Sequence, residues 1–234
     1  MSVIEKYKLH IEPVGECAIL LRFADKIDES LPPYIARLAK ILNHNLTPAP
    51  INAVPSYTTL FLEFSVLEFD YTLLHRQLHS LTLNSNISQN HALTNTIEIP
   101  VYYGEEVALD ATRFSKEKGL SLQQLQEIHT CAEYQVHALG FAPGFAFMAE
   151  TPKSLQLPRL DSPRPIVAKG SVAIAGPQTA VYPEESPGGW NIIGRTPIEL
   201  YSPQQQPMTL LSPGDTVRFT AISKRLFIEL GGKL

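Results

Sequence analysis

The sequence predicts an α+β, mostly β fold: a small α/β unit with β-α-β-β-α order, followed by a larger barrel or sandwich of short strands. Beyond Tyr134 no long helical pattern fits, and β-prone runs alternate with Pro- and Gly-rich turns. Helical periodicity is confined to the chain before that point. A polar stretch dense in Asn and Ser, Leu83 to Asn95, separates two regions of different character, because such side chains bond locally to the backbone instead of supporting regular structure. Domains at 1–90 and 91–234 follow, with residues 83–95 as an exposed linker open to proteolysis.

Taken in order, Cys17 to Phe23 (CAILLRF) is strand-like. Ser30 then reads as the N-cap of a helix whose apolar face is Tyr34, Ile35, Leu38, Ile41 and Leu42, with Pro32 and Pro33 suited to its first turn. Strands at Ala53 to Pro55 and Thr58 to Phe64 and a helix near Tyr71 to Leu81 complete the small domain. After the linker comes the strand IEIPVYY, then a helical unit from Asp110 to Lys118, a turn at Gly119, and a helix LQQLQEIHTC capped by Ser121. The remaining strands are expected in QVHALGF, SVAIAG, NIIGRT, IELY, TVRFTAI and LFIEL, with Gln204 to Gln206 in an exposed loop.

With 234 residues, 44% hydrophobic and 18% charged, the chain is globular and long enough for two unequal cores. A formal net charge of -4 lacks the basic surplus that a phosphate backbone attracts, so nucleic acid is not an expected partner. Met1 to Val14 carries too many charges for a signal peptide, and no later stretch is long and apolar enough to span a bilayer. Cys17 and Cys131, the only cysteines, sit in apolar patterns that predict buried thiols in a reducing compartment. A cytoplasmic location is the expectation.

The phosphate loop of many ATPases, the zinc helix HExxH, a CxxC pair and the GxSxG nucleophile turn are all missing. His75 and His79 lie one helical turn apart, a metal pair without a third ligand or simply a solvated face. Three segments stand out from ordinary turns. LGFAPGFAFM (Leu139 to Met148) alternates Phe141, Phe145 and Phe147, a spacing that lines one face of an extended strand. In PRPIVAKGSVAIAGPQTAVYP (Pro163 to Pro183) the small residues Gly170, Ser171, Ala173, Ala175 and Gly176 permit close backbone approach. SPGGWNIIGRTP (Ser186 to Pro197) places Trp190 beside a diglycine and ends near Arg195. Together they outline a ligand cleft, or else the tight corners and packed aromatics of a barrel.

These runs, GFAPGF, PRP-x-V-x-x-GSVAIAG-x-Q-T, YP-x-x-SPGGW-x-I-IGRTP and PGD-x-VRF, resemble the signature of the KipI-like (allophanate hydrolase subunit 1) family, and the N-terminal GECAILLRF and AVPSYTTLFLEF extend the resemblance over nearly the whole chain. Members of that family include the B subunit of ATP-dependent 5-oxoprolinase, the first half of the carboxyltransferase-like part of urea carboxylase, and an inhibitor of a sporulation histidine kinase. The resemblance implies a cyclophilin-like β-barrel for the larger domain. It also implies one component of a hydrolase that acts on 5-oxoproline with ATP, and with Mg held by the complex, beside the C and A subunits of 5-oxoprolinase. The alternative it leaves is a kinase inhibitor without catalysis. Three places depart from the common pattern: Val167-Ala168-Lys169 where V-P-A is usual, Ala180 after Gln178-Thr179, and AFM at Ala146 to Met148.

ATP-driven opening of a lactam requires cations and hydrogen-bond donors aimed at phosphoryl and carboxylate oxygens. Arg195, Lys169 and Gln178 are therefore the catalytic candidates, and Phe141, Arg164, Tyr182 and Trp190 the substrate-binding ones. Arginine suits bidentate contacts, and Gln178 offers both a donor and an acceptor to an amide. Each has a structural alternative: Lys169 as a solvated turn residue, Arg195 as a brace between loops, Gln178 on backbone groups, Tyr182 in the core. His137 is an acid or base or a strand residue, Glu184 and Glu185 hold Mg or are solvated, and Asp215 belongs to turn chemistry.

Overall fold

A computed structural model describes residues 9–28, 30–84 and 96–234, so residues 85–95 of the expected linker lie outside the described residues. The chain forms two compact units, Met1–Thr94 and Asn95–Leu234. Strands, mostly antiparallel, dominate both, with few helices, which is the α+β class expected.

In the first unit β1 (His10–Val14), β2 (Ala18–Arg22), β3 (Asn52–Ser56) and β4 (Thr59–Glu63) form an antiparallel sheet in the order β1-β2-β4-β3. Helices α1 (Leu31–Asn45) and α2 (Tyr71–Asn84) complete it. Ile19 and Leu21 of β2 and Leu60 and Leu62 of β4 alternate onto one face, where they meet Ile35, Leu38 and Leu42 of α1 and Leu74 and Leu78 of α2. The order is therefore β-β-α-β-β-α, one strand more than the sequence predicts. β1 escapes a pattern search because its residues are half-buried or exposed, and Pro13 is tolerated there because an edge strand leaves amide positions without a ladder partner. Ser30 does not cap α1: its backbone is already helical, and its Oγ and N–H both donate to Asp28 Oδ1 at 2.6 and 3.0 Å.

The second unit contains β5 (Thr96–Val101), α3 (Ala111–Lys118), α4 (Leu122–Cys131), β6 (Glu133–Leu139), β7 (Ala146–Ala149), β8 (Arg164–Val167), β9 (Ser171–Ala175), β10 (Gln178–Val181), β11 (Ser186–Gly188), β12 (Asn191–Arg195), β13 (Thr216–Ala221) and α5 (Lys224–Glu229). Hydrogen-bonded neighbours run β5-β13-β6-β7-β10-β9-β12, with only β5 and β13 parallel. The circuit closes where Tyr102, just past β5, and Arg195 exchange backbone N–H···O bonds of 2.8 Å in both directions. Ile99, Val101, Tyr134, Val136, Met148, Val172, Ile174, Val181, Ile193, Val217 and Phe219 fill one core. Strands β8 and β11 pair separately as a two-stranded flap.

Three other short-range signals held. Ser121 accepts from Gln124 N–H while the Gln124 side chain accepts from Ser121 N–H, a full capping box, and Gly119 ends α3 in the left-handed region at φ +68°. Asp215 Oδ2 accepts from Ser212 N–H at 2.8 Å, as turn chemistry requires. Two strand expectations fail. LFIEL lies largely in α5, started by Ser223, whose Oγ accepts from Leu226 N–H, and followed by Gly231 at φ +90°; a short apolar run has no decisive period of its own. IELY forms no strand beyond a single bridge between Tyr201 and Thr209. Cys17 is half-buried and Cys131 exposed, so neither is the buried thiol expected; both are free.

His129, on the last turn of α4, is fully buried and stacked on Phe219 at 4.5 Å. Thr179 Oγ1 donates to Ala173 O, so it accepts from His129 Nε2 at 3.2 Å, and the bare Nδ1 accepts from the Tyr103 hydroxyl at 2.7 Å. Burial holds the imidazole neutral, its pKa lowered from 6.5 to about 3. In this window the unfolded chain binds a proton that the folded chain does not, so the stabilisation is whole above 6.5 and is lost as pH falls. The expected loss is about 1.4 kcal/mol per pH unit. Urea unfolding from pH 7.5 downward, against His129→Gln, checks this, and equal pH slopes for the two proteins exclude it.

Candidate functional site

β9 is buried on both faces because a second layer covers the outside of the strand circuit. Val172 and Ile174 point into the main core, whereas Ala173 and Ala175, with Ala180 of β10 and Ile192 of β12, belong to a separate cluster. Those alanines leave room for rings against the sheet. Phe145 packs edge-on against Tyr182 (5.3 Å between centroids), Trp190 (5.7 Å), Phe147 (5.0 Å) and Phe141 (5.2 Å). Phe141 itself is 67% exposed and sits at φ +68°, a left-handed conformation uncommon for a bulky residue. The three phenylalanines thus gather around a turn, not along one strand as their alternation predicted: Gly140 N–H donates to Phe145 O across it.

The β8–β11 flap carries the glycines of SPGGW. Gly188 lies over the Tyr182 ring, where an added methyl would overlap the hydroxyl, and it pairs in register with Arg164. Next to it, the Gly189 position faces Pro163 and lies 3.7 Å from Arg159 Nη2, measured from where a Cβ would stand. Arg164 Nη2 donates to Asp110 Oδ1 at 2.7 Å, and its Nη1 is buried without a partner. Ser186 Oγ, on the opposite strand of the flap, is likewise buried and unpartnered. Tyr182 is almost fully buried; burial pushes its phenol up, opposed by the Trp190 backbone N–H and by the charges of Arg159 and Arg164.

Arg164, Tyr182, Trp190 and Phe141 therefore share one neighbourhood. The other three candidates do not complete it. Gln178 pairs with Ala175, and Arg195 with Ser171, so they stand at opposite ends of β9, roughly 13 Å apart along the strand. Lys169 Nζ is held by Glu184 (2.7 Å) and Glu199 (3.2 Å), and the bond to Glu184 in particular raises its pKa. Arg195 is half-buried, which lowers its pKa; Nη1 donates to Lys233 O at 2.9 Å. Burial lowers the pKa of His137, against the pull of Glu150. The described residues contain no group of three or more His, Cys, Asp or Glu fit to hold a metal, and Glu184 is engaged by Lys169.

Sequence reasoning missed the residues that hold Arg164. Asp110, 5% exposed, receives Arg164 on one oxygen and Ile192 N–H on the other at 2.6 Å, and its own N–H donates to Ile192 O. Buried Asn191 donates to Pro158 O and Ile174 O while its Oδ1 accepts from Arg113. Arg159, five positions before Arg164, was overlooked although PRLDSPRP repeats a Pro-Arg pair. A shallow apolar depression lined by Ile128, Cys131, Ala132 and Pro152 involves none of these residues.

Residues 9–211 match the model of the carboxyltransferase domain, subdomain C and D. The chain is 37% identical over 228 residues to the B subunit of 5-oxoprolinase from Bacillus subtilis (strain 168), covering 93% of this chain and 95% of that protein. It is 36% identical over 215 residues to the B subunit of 5-oxoprolinase from Escherichia coli O157:H7, covering 88% and 93%. The crystal structure of TTHA0988 superposes with a TM-score of 0.77 at 37% identity; 88% of this chain is covered, which spans 40% of that longer chain. The resemblance drawn from the glycine- and aromatic-rich signature runs thus holds nearly end to end, and the chain belongs to the carboxyltransferase domain family, subdomain C and D.

Proposed function

We propose that this chain is the B subunit of a multi-subunit 5-oxoprolinase that converts 5-oxo-L-proline to L-glutamate with ATP in the cytoplasm. Its partners in this reading are the C subunit, which is the second half of the carboxyltransferase-like pair, and a separate A subunit. The observation that carries it is the likeness to two proteins named as the B subunit of 5-oxoprolinase over 95% and 93% of their lengths. The closed circuit of seven strands supports a cyclophilin-like barrel as the scaffold.

The lactam resists water because its nitrogen lone pair is delocalised into the carbonyl. Transfer of the γ-phosphoryl group to the lactam oxygen releases ADP and makes the ring carbon electrophilic. Water then adds to that carbon, the C–N bond breaks with its electron pair and a proton going to nitrogen, and a second water displaces phosphate from the acyl phosphate to give glutamate. In this chain Arg164, Tyr182, Trp190 and Phe141 bind the ring. Lys169, Gln178 and Arg195 are too dispersed to meet one lactam together, which argues that contacts to ATP and Mg come mainly from the partner subunits.

The purified chain alone is expected to show no 5-oxoproline-dependent release of ADP, and mixing it with its partner subunits is expected to give glutamate. Turnover by the isolated chain, free of partners by mass spectrometry, defeats the multi-subunit reading. Failure to form glutamate in the complete mixture defeats the substrate assignment.

A further inference from the structure

Building on that reading, we propose that Arg159 and Arg164, together with the Tyr182 hydroxyl, form a carboxylate-binding subsite at the glycine edge of the β8–β11 flap, one that receives the ring carboxylate of a small cyclic amide. Four contacts bring these groups to one place. Gly188 lies on the Tyr182 hydroxyl and pairs with Arg164, Gly189 faces Arg159 Nη2, and Leu160 N–H donates to Gly189 O at 2.7 Å, tying the loop that carries Arg159 to the same diglycine. Gly188 packs so closely on the phenol that an added methyl would overlap its hydroxyl.

The two guanidinium groups are prepared differently. Arg164 is fixed at one nitrogen by buried Asp110, leaving Nη1 buried and without an acceptor. A buried charged donor left unmade is costly, and an anionic ligand would relieve that cost. Arg159 is exposed and has no ion pair among the described residues, not even with Asp161 in the same loop. One fixed and one exposed, unpaired arginine can close on a carboxylate from two sides, while Trp190 and Phe145 offer an apolar wall to the ring. The positive charges of both arginines act on the Tyr182 phenol, which agrees with their convergence.

The test uses the full chain and three probes: 5-oxo-L-proline, 2-pyrrolidinone, which is the same ring without the carboxylate, and inorganic phosphate. Calorimetry or ligand-detected NMR is expected to show 5-oxo-L-proline bound more tightly than 2-pyrrolidinone, and Arg159→Gln is expected to weaken only the former, by about tenfold or more. Arg159→Gln removes no bond within the fold, so its melting temperature should match the parent. Arg164→Lys, which keeps a charge for Asp110 but loses the fork, is expected to weaken binding as well. The subsite is overturned if the parent binds no 5-oxo-L-proline, if Arg159→Gln binds it unchanged, or if phosphate binds with the same arginine dependence and displaces it. Glutamate formation by the complete mixture judges the multi-subunit reading separately: an unchanged KM for Arg159→Gln there removes the subsite and leaves that reading intact.

Discussion

Asp110→Ala is expected to lower the stability of the 95–234 unit by about 3–5 kcal/mol, the cost of breaking a buried ion pair from one side. One carboxylate here closes three elements at once: it receives the Arg164 guanidinium from β8 and Ile192 N–H from β12, and stands immediately before α3. Alanine strands both donors. Arg164 would then be a part-buried cation with neither terminal nitrogen paired, and Ile192 would lose an acceptor in a position that water does not reach. Asp110→Asn, which keeps an acceptor for one of the two donors, is expected to cost less. Denaturant unfolding of the full chain measures both. A loss below 1 kcal/mol for Asp110→Ala shows that the network is incidental. Because Arg164 also belongs to the proposed carboxylate subsite, the same variant at a temperature where it remains folded is expected to bind 5-oxo-L-proline more weakly.

Nothing in the sequence announced that network, and the reason is physical. Asp110 meets Arg164 and Ile192 across 54 and 82 positions, and such pairs are set by strand register, which no local pattern encodes. Of the devices written within four residues, the Ser121 cap, the Gly119 stop and the Asp215 turn were legible, whereas Ser30 proved no cap. The mostly β, α+β character was legible too, since it follows from periodicity and turn composition. β1 and α5 were not, one because an edge strand has no buried face to alternate, the other because LFIEL is too short to show a period. The same distinction governs the candidate site. GFAPGF, the GSVAIAG strand and SPGGW were recognisable as unusual, and they do gather around one aromatic cluster. Which of their polar residues face one another was not recognisable: the register places Gln178 and Arg195 at opposite ends of β9 and turns Lys169 toward two glutamates.

Gly170→Ala is expected to destabilise the same unit by about 2–5 kcal/mol, whereas Lys169→Ala, one position earlier, is expected to change stability by less than about 1 kcal/mol. The contrast separates backbone geometry from surface charge. Gly170 sits at φ +79°, where an L side chain is strained, and a methyl group there would overlap the Thr196 carbonyl oxygen. That carbonyl cannot withdraw freely, because the Gly170 backbone is bonded on both sides: its N–H donates to Tyr182 O at 2.8 Å and its O accepts from Thr196 N–H at 2.9 Å. These bonds join the entry of β9 to the ends of β10 and β12, next to the Tyr102–Arg195 pair that closes the strand circuit. Overlap at this point must open that joint or shift β9 as a whole, and β9 is buried on both faces. Lys169, by contrast, holds its two glutamates with a side chain 44% exposed, and ion pairs so well solvated contribute little. Chemical unfolding of the two single variants decides the matter. Equal losses for Gly170→Ala and Lys169→Ala would mean that the glycine is there for its turn alone and that the close approach of β9 to the Thr196 carbonyl carries no weight in holding the circuit shut.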